Sequence, residues 1–120
     1  MKKLLKIVLV SSLSLLCFSC YYDDDLMPEV APIDENTVVK FSTDIIPIFD
    51  AYNCAGCHNE NRDPDLRAGR ELNSLLNGYV TAGNANDSKL FTTLNGGHQG
   101  VDANSLALIE KWINDGALNN

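Results

Sequence analysis

The chain has 120 residues, 45% of them hydrophobic, with four cysteines and a formal charge of −7. That length allows one domain at most, and a domain so small often needs a metal, a disulfide or a cofactor to supplement its apolar core. The acidic balance argues against a nucleic-acid binder, because such proteins carry basic patches where they meet phosphate.

The N-terminal sixth does not look like domain sequence. Lys2, Lys3 and Lys6 give a basic start, residues 7–18 form an apolar and serine-rich run too short to span a bilayer comfortably, and the run ends at Ser19-Cys20 before turning polar. The pattern resembles a bacterial lipoprotein signal of the loose Bacteroidetes type, although Cys17 and Phe18 stand where a strict lipobox prefers Leu and a small residue. The resemblance implies that residues 1–19 are a signal peptide and that Cys20 becomes an acylated N-terminus, since two or three acyl chains anchor stably without a spanning helix. Losing the three lysines takes the charge to roughly −10, which serves solubility and can also steer a basic partner.

Residues 20–37 then read as a lipid-anchored, acidic, disordered tether containing Pro28 and Pro32 without apolar periodicity. Tyr21-Tyr22-Asp23-Asp24-Asp25 resembles the acidic tract that sends some lipoproteins of this type to the outer face of the outer membrane. An ordinary solvated spacer is the other reading. The expected location is exported and membrane-anchored, on the periplasmic side or on the outer-membrane surface.

Residues 38–120 are the expected folded domain. Ser42 or Thr43 can cap a first helix that holds Asp44 in its first turn, tolerates Pro47 and offers Ile45, Ile48, Phe49 and Tyr52 to a buried face. This helix is expected to end at Cys54-Ala55-Gly56-Cys57-His58. The C-x-x-C-H arrangement is the signature of c-type haem attachment. Two thiols one helical turn apart can form thioethers with the two vinyl groups of one porphyrin, and the adjacent imidazole can serve as proximal iron ligand. Ala55 and Gly56 are small enough to admit the ring, and export fits a cofactor joined to reduced thiols outside the cytoplasm.

Three other uses of these cysteines stand beside haem. A zinc site from Cys54, Cys57 and either His58 or His98 lacks a second C-x-x-C pair, and adjacent Cys57 and His58 point apart. A thioredoxin-like dithiol needs a strand before the motif, where a helix is expected. A Cys54–Cys57 disulfide leaves His58 unexplained.

Downstream, residues 62–69 form a polar loop with Pro64 and Gly69, and 71–77 form a short helix stopped by Gly78. After a loop over 80–86, Asp87 or Ser88 can cap a helix carrying Leu90, Phe91 and Leu94 that stops at Gly96-Gly97. The last helix has the clearest signals: Asp102 at the cap, Leu106, Ile109, Trp112 and Ile113 at helical spacing, and Gly116 as the stop. No segment reads as a strand.

A helix leading into C-x-x-C-H, then Gly83-Asn84 before Ser88-Lys89-Leu90, then Trp112-Ile113-Asn114-Asp115-Gly116-Ala117 at the end, is similar to class I cytochrome c, in its short planctomycete and Bacteroidetes form. The likeness covers residues 38–117. It implies an all-α fold, a small bundle of about four helices around one haem, with first and last helices packed together through Ile45, Phe49, Ile109 and Ile113. It further implies a single-electron carrier rather than an enzyme, one covalent haem c on Cys54 and Cys57 with His58 on the iron, and an unidentified redox partner protein.

Relatives of this class usually place a methionine just before the last helix as sixth ligand, but Met1 and Met27 are the only methionines here. His98, in Asn95-Gly96-Gly97-His98-Gln99-Gly100, falls at that place, so bis-histidine ligation by His58 and His98 is expected. A five-coordinate iron would instead make a haem-based small-ligand binder or sensor, and an unattached chain would be a structural lipoprotein with a Cys54–Cys57 disulfide. Arg62, Arg67, Arg70 and Lys89 are the cations available to haem propionates.

Overall fold

The computed structural model describes residues 32–120, together with Met1 and Lys3. The expected signal segment, Cys20 and most of the acidic tether lie outside the described residues. Among the described residues about half are helical, with no strand and with five short α-helical segments where about four helices were expected. None of the described helices is long and apolar enough to cross a membrane.

The difference in number comes from the approach to the cysteines. A π-helical turn over Phe41–Ile45 runs into α1 (Ile46–Ala51), and a separate single turn, α2 (Cys54–Cys57), carries both thiols. Between them Asn53 adopts a left-handed conformation with φ of 49°, which Asn tolerates better than most residues and which interrupts the helix. The widened π turn lies directly before Pro47, whose ring lacks an N–H and would crowd the carbonyl one turn back in a regular helix.

Neither Ser42 nor Thr43 caps this first helical stretch by its side chain. Its free N–H groups are met from the far end of the sequence: Asn120 Oδ1 accepts from Phe41 N at 2.8 Å, and the Asn120 carbonyl accepts from Ser42 N at 3.0 Å. Asp44 reaches back to accept from Lys40 N at 2.7 Å, an acidic residue satisfying an orphan donor at a helix start.

After a loop over 58–70, α3 (Glu71–Leu76) leads through a second loop to α4 (Lys89–Asn95), then to a 3₁₀ turn (His98–Gly100) and α5 (Ala103–Asn114). Ser88 stands at the start of α4 but does not cap it. Its fully buried hydroxyl turns inward, accepting from Thr81 N at 2.9 Å and donating to the Asn84 carbonyl at 2.8 Å, which closes the loop between α3 and α4. Asp102 does cap α5, its carboxylate accepting from Asn104 N and Ser105 N.

The core forms where the π turn and α4 pack against α5. Ile45, Ile109 and Ile113 are fully buried, and the Phe41 ring lies 5.0 Å from that of Trp112, centroid to centroid. The Trp112 indole N–H, which would be costly to bury unpaired, donates to the Leu118 carbonyl at 3.0 Å. Phe49, expected between the first and last helices, is buried with Ile48 on the wall of a cleft.

Candidate functional site

The cleft has a volume of about 250 Å³ and is bounded by α1, α2, the 58–70 loop, α4 and the turn before α5. Its surface is overwhelmingly apolar, with Ile48 and Phe49 from α1, Pro64 and Leu66 from the loop, and Leu90 and Leu94 from α4. Cys54 and His58 enter from one side, and His98 and Val101 from the turn before α5. Residues 40 positions apart in sequence thus meet across one hollow.

Each of the expected site residues has a distinct setting. Cys54 is buried in the wall, and that burial is the main reason its thiol titrates above the ordinary range. Cys57, three residues on, is exposed and outside the cleft lining; both cysteines are free thiols. The glycine between them has a local purpose: a Cβ on Gly56 would stand 2.7 Å from the Asn53 side-chain nitrogen.

His58 is half-buried at the end of α2. Its Nδ1 lies 3.2 Å from the Asp63 carbonyl oxygen, and because a carbonyl can only accept, Nδ1 carries the proton and Nε2 is left as the free lone pair. The same turn is closed from the other direction by Leu66 N donating to the His58 carbonyl at 3.0 Å. Such a hydrogen bond fixes the ring orientation and the tautomer.

His98 is exposed on the 3₁₀ turn, between Gly97 and Gly100, both at positive φ. Its ring centroid is 6.1 Å from that of His58, with the planes at 78°. Two metal–imidazole bonds of about 2.0 Å, with the two ring radii, come to roughly 6 Å, so the centroid separation matches in length a pair of imidazoles sharing one metal atom. Among the described residues no group of three or more His, Cys, Asp and Glu side chains is placed to hold a metal ion, as a closed tetrahedral site would need.

The cations divide. Arg67 is engaged by Asp65, at 2.8 Å, and by Glu60, and Arg70 lies outside the cleft lining. Arg62 and Lys89 border the cleft, both exposed, with Lys89 Nζ 5.8 Å from the centre of the Tyr79 ring. Pro64 and Leu66 were read from sequence only as loop, yet both are buried in the cleft wall. Their signal was two apolar side chains spaced by one residue within an otherwise polar stretch. Tyr52, expected on a buried face, is half-buried against the core and also directs its hydroxyl to Asp102.

Comparison with protein-family models, with curated proteins and with solved structures gives no match for this chain.

Proposed function

We propose that this protein is an exported, lipid-anchored monohaem c-type cytochrome, an electron carrier rather than an enzyme, with a small cytochrome c-like fold around one haem held by Cys54, Cys57, His58 and His98. The observation that carries the proposal is that His58 and His98 line one apolar cleft with their ring centroids 6.1 Å apart and with Cys54 in the same wall. A flat apolar macrocycle with a metal at its centre suits that arrangement better than an isolated ion does. When bound, haem supplies a reversible one-electron change at iron.

The chain's own residues account for the rest of the role. Cys54 and Cys57 would hold the cofactor covalently, through thioethers formed by addition of each S–H across a vinyl group, sulfur to one carbon and hydrogen to the other. Asp63, through its carbonyl, holds the His58 ring in the tautomer that offers Nε2. The Ile48, Phe49, Leu66, Leu90 and Leu94 side chains exclude water and lower the local dielectric, which would help to set the potential of a bound haem. Two imidazoles give a lower potential than the histidine–methionine pair of most relatives of the class. The redox partner meets an acidic surface, and an N-terminal lipid at Cys20 keeps the encounter at the membrane.

The deciding experiment is the pyridine haemochrome spectrum of the denatured full chain after expression with the c-type maturation machinery. A thioether-type spectrum at about one haem per chain is expected. No retained haem, with Cys54 and Cys57 in a disulfide, overturns the proposal and leaves a structural lipoprotein.

A second reading, a haem-based binder of small ligands, is favoured by the exposure of His98 on a glycine-flanked turn. Carbon monoxide separates the two. A ferrous protein closed by His98 binds it weakly, and His98→Ala opens it; wild-type and variant proteins that bind it equally well would assign the sensor role.

A further inference from the structure

The two histidine-bearing segments are joined by very little. Residues 52–58 carry Cys54, Cys57 and His58, while 95–102 carry His98, and the second segment is built on glycines with Gln99 itself at φ of 62°. A non-glycine residue in that region holds its conformation only when its surroundings enforce it. His98 is exposed, so close packing does not fix its ring.

Among the described residues, three hydrogen bonds link these segments, and Tyr52 takes part in each. Its hydroxyl donates to Asp102 Oδ2 at 2.8 Å and accepts from Asp102 N at 2.9 Å. Its carbonyl accepts from Gln99 Nε2 at 3.0 Å. Asp102 is itself fixed as the α5 cap, with Oδ1 accepting from Asn104 N and Ser105 N and Oδ2 from the Ser105 hydroxyl at 2.6 Å. The phenol therefore ends on a rigid helix start, and Gln99, next to His98, is held to the backbone two residues before Cys54.

We propose that Tyr52 is the positioning residue for His98: by tying Asp102 and Gln99 to the segment that carries Cys54 and His58, it sets the gap across which the two imidazoles face each other. This rests on the haem reading above, in which that gap is spanned by iron. The tie acts on a loop rather than on the core. Its loss frees the 97–101 turn to swing away, while Ile109, Trp112 and Ile113 stay buried.

The experiment compares the haem-loaded full chain with Tyr52→Phe and Asp102→Asn. The first removes only a hydroxyl. The second keeps an oxygen for the α5 cap but substitutes a donor for the acceptor that Tyr52 uses. In both variants haem content should stay at the wild-type level. Amide exchange at residues 97–101 and carbon monoxide affinity of the ferrous form should each rise on the order of tenfold, as expected for losing a hydrogen bond to a charged group. The double variant should add little to either single one, because both remove the same tie.

Haem-loaded variants with wild-type exchange and wild-type carbon monoxide binding would overturn the tie. Faster exchange with an iron as closed as the wild type would overturn its role in positioning His98. If Tyr52→Phe does not fold, Asp102→Asn decides alone. A wild-type chain without covalent haem is a separate failure: it removes the haem reading, and the positioning role with it.

Discussion

The half of the domain where the π turn meets α5 is completed by its own side chains, and the half around the cleft is not. On the first side Ile45, Ile109, Trp112 and Ile113 are at most 1% exposed, and the first helical stretch is capped by Asn120. On the second, α2 is a single turn, the 58–70 loop has no regular structure, and apolar residues from three segments face a hollow. The contrast shows where a small chain concentrates its packing. One side is packed without a gap, and the other, though its apolar side chains are only 3–9% exposed, leaves a hollow between them.

The largest expected effect lies on the completed side. Trp112→Ala removes the bulkiest fully buried side chain and its bond to the Leu118 carbonyl, and should cost about 3–5 kcal/mol in urea unfolding. For a domain this small that is a large fraction of the total. A loss under about 1 kcal/mol would mean that the π turn and α5 are not the structural centre.

The cleft side should respond differently to a change of similar type. Leu94 is only 6% exposed, yet it lines the hollow. In the haem-loaded chain Leu94→Ala should cost about 2–5 kcal/mol, as for any buried leucine. In the haem-free chain the same change should cost less than half of that, because the methyl groups it removes already lack partners on one side. Equal losses in the two forms would show that the cleft closes without a cofactor, and the contrast between the halves would disappear.

How much of this could be read from sequence follows the same division between local and distant signals. The last helix was legible because its cap, its apolar spacing and its stop all lie within residues 102–116. Cys54 and His58 were legible as candidates from the spacing of their motif, and His98 from its place in the resemblance to class I cytochrome c; the structure does bring these three to one cleft. The start of the first helical stretch was misread because its cap comes from Asn120, 79 positions from Phe41. The break at Asn53 depends on one dihedral angle that Asn permits but does not require. Tyr52 does pack against the core as its spacing suggests, but nothing within helical range of it reveals its hydroxyl's partner 50 positions away.

A smaller effect tests the closed loop beside the core. Ser88→Ala deprives Thr81 N of its acceptor and the Asn84 carbonyl of its donor in a fully buried position. A loss of about 1–2 kcal/mol is expected, with the haem-loaded and haem-free forms affected alike, since Ser88 serves the α3–α4 loop and is not part of the cleft lining. A cost that appears only with haem bound would move this loop to the cofactor-dependent side.

The smallest expected effect lies at the boundary of the two halves, where Asp102 caps α5 and meets Tyr52. The Ser105 hydroxyl, followed by the Ser105 N–H and the Tyr52 hydroxyl, holds this carboxyl down at about 2, against an ordinary value of 3.8. A carboxylate depressed in the folded state stabilises fully above its unfolded value, and that contribution fades as pH falls from about 4 to 2. Asp102 should therefore add no pH dependence to stability from pH 5 to 8, and a part of the acid-induced loss below pH 4 should vanish in Asp102→Ala. At neutral pH that variant should cost about 1 kcal/mol, as expected for an exposed helix cap. Urea midpoints measured for both proteins at pH 3 and pH 7 give the answer: a difference between them that is the same at the two values would show that the carboxylate bonds add nothing beyond the side chain's bulk.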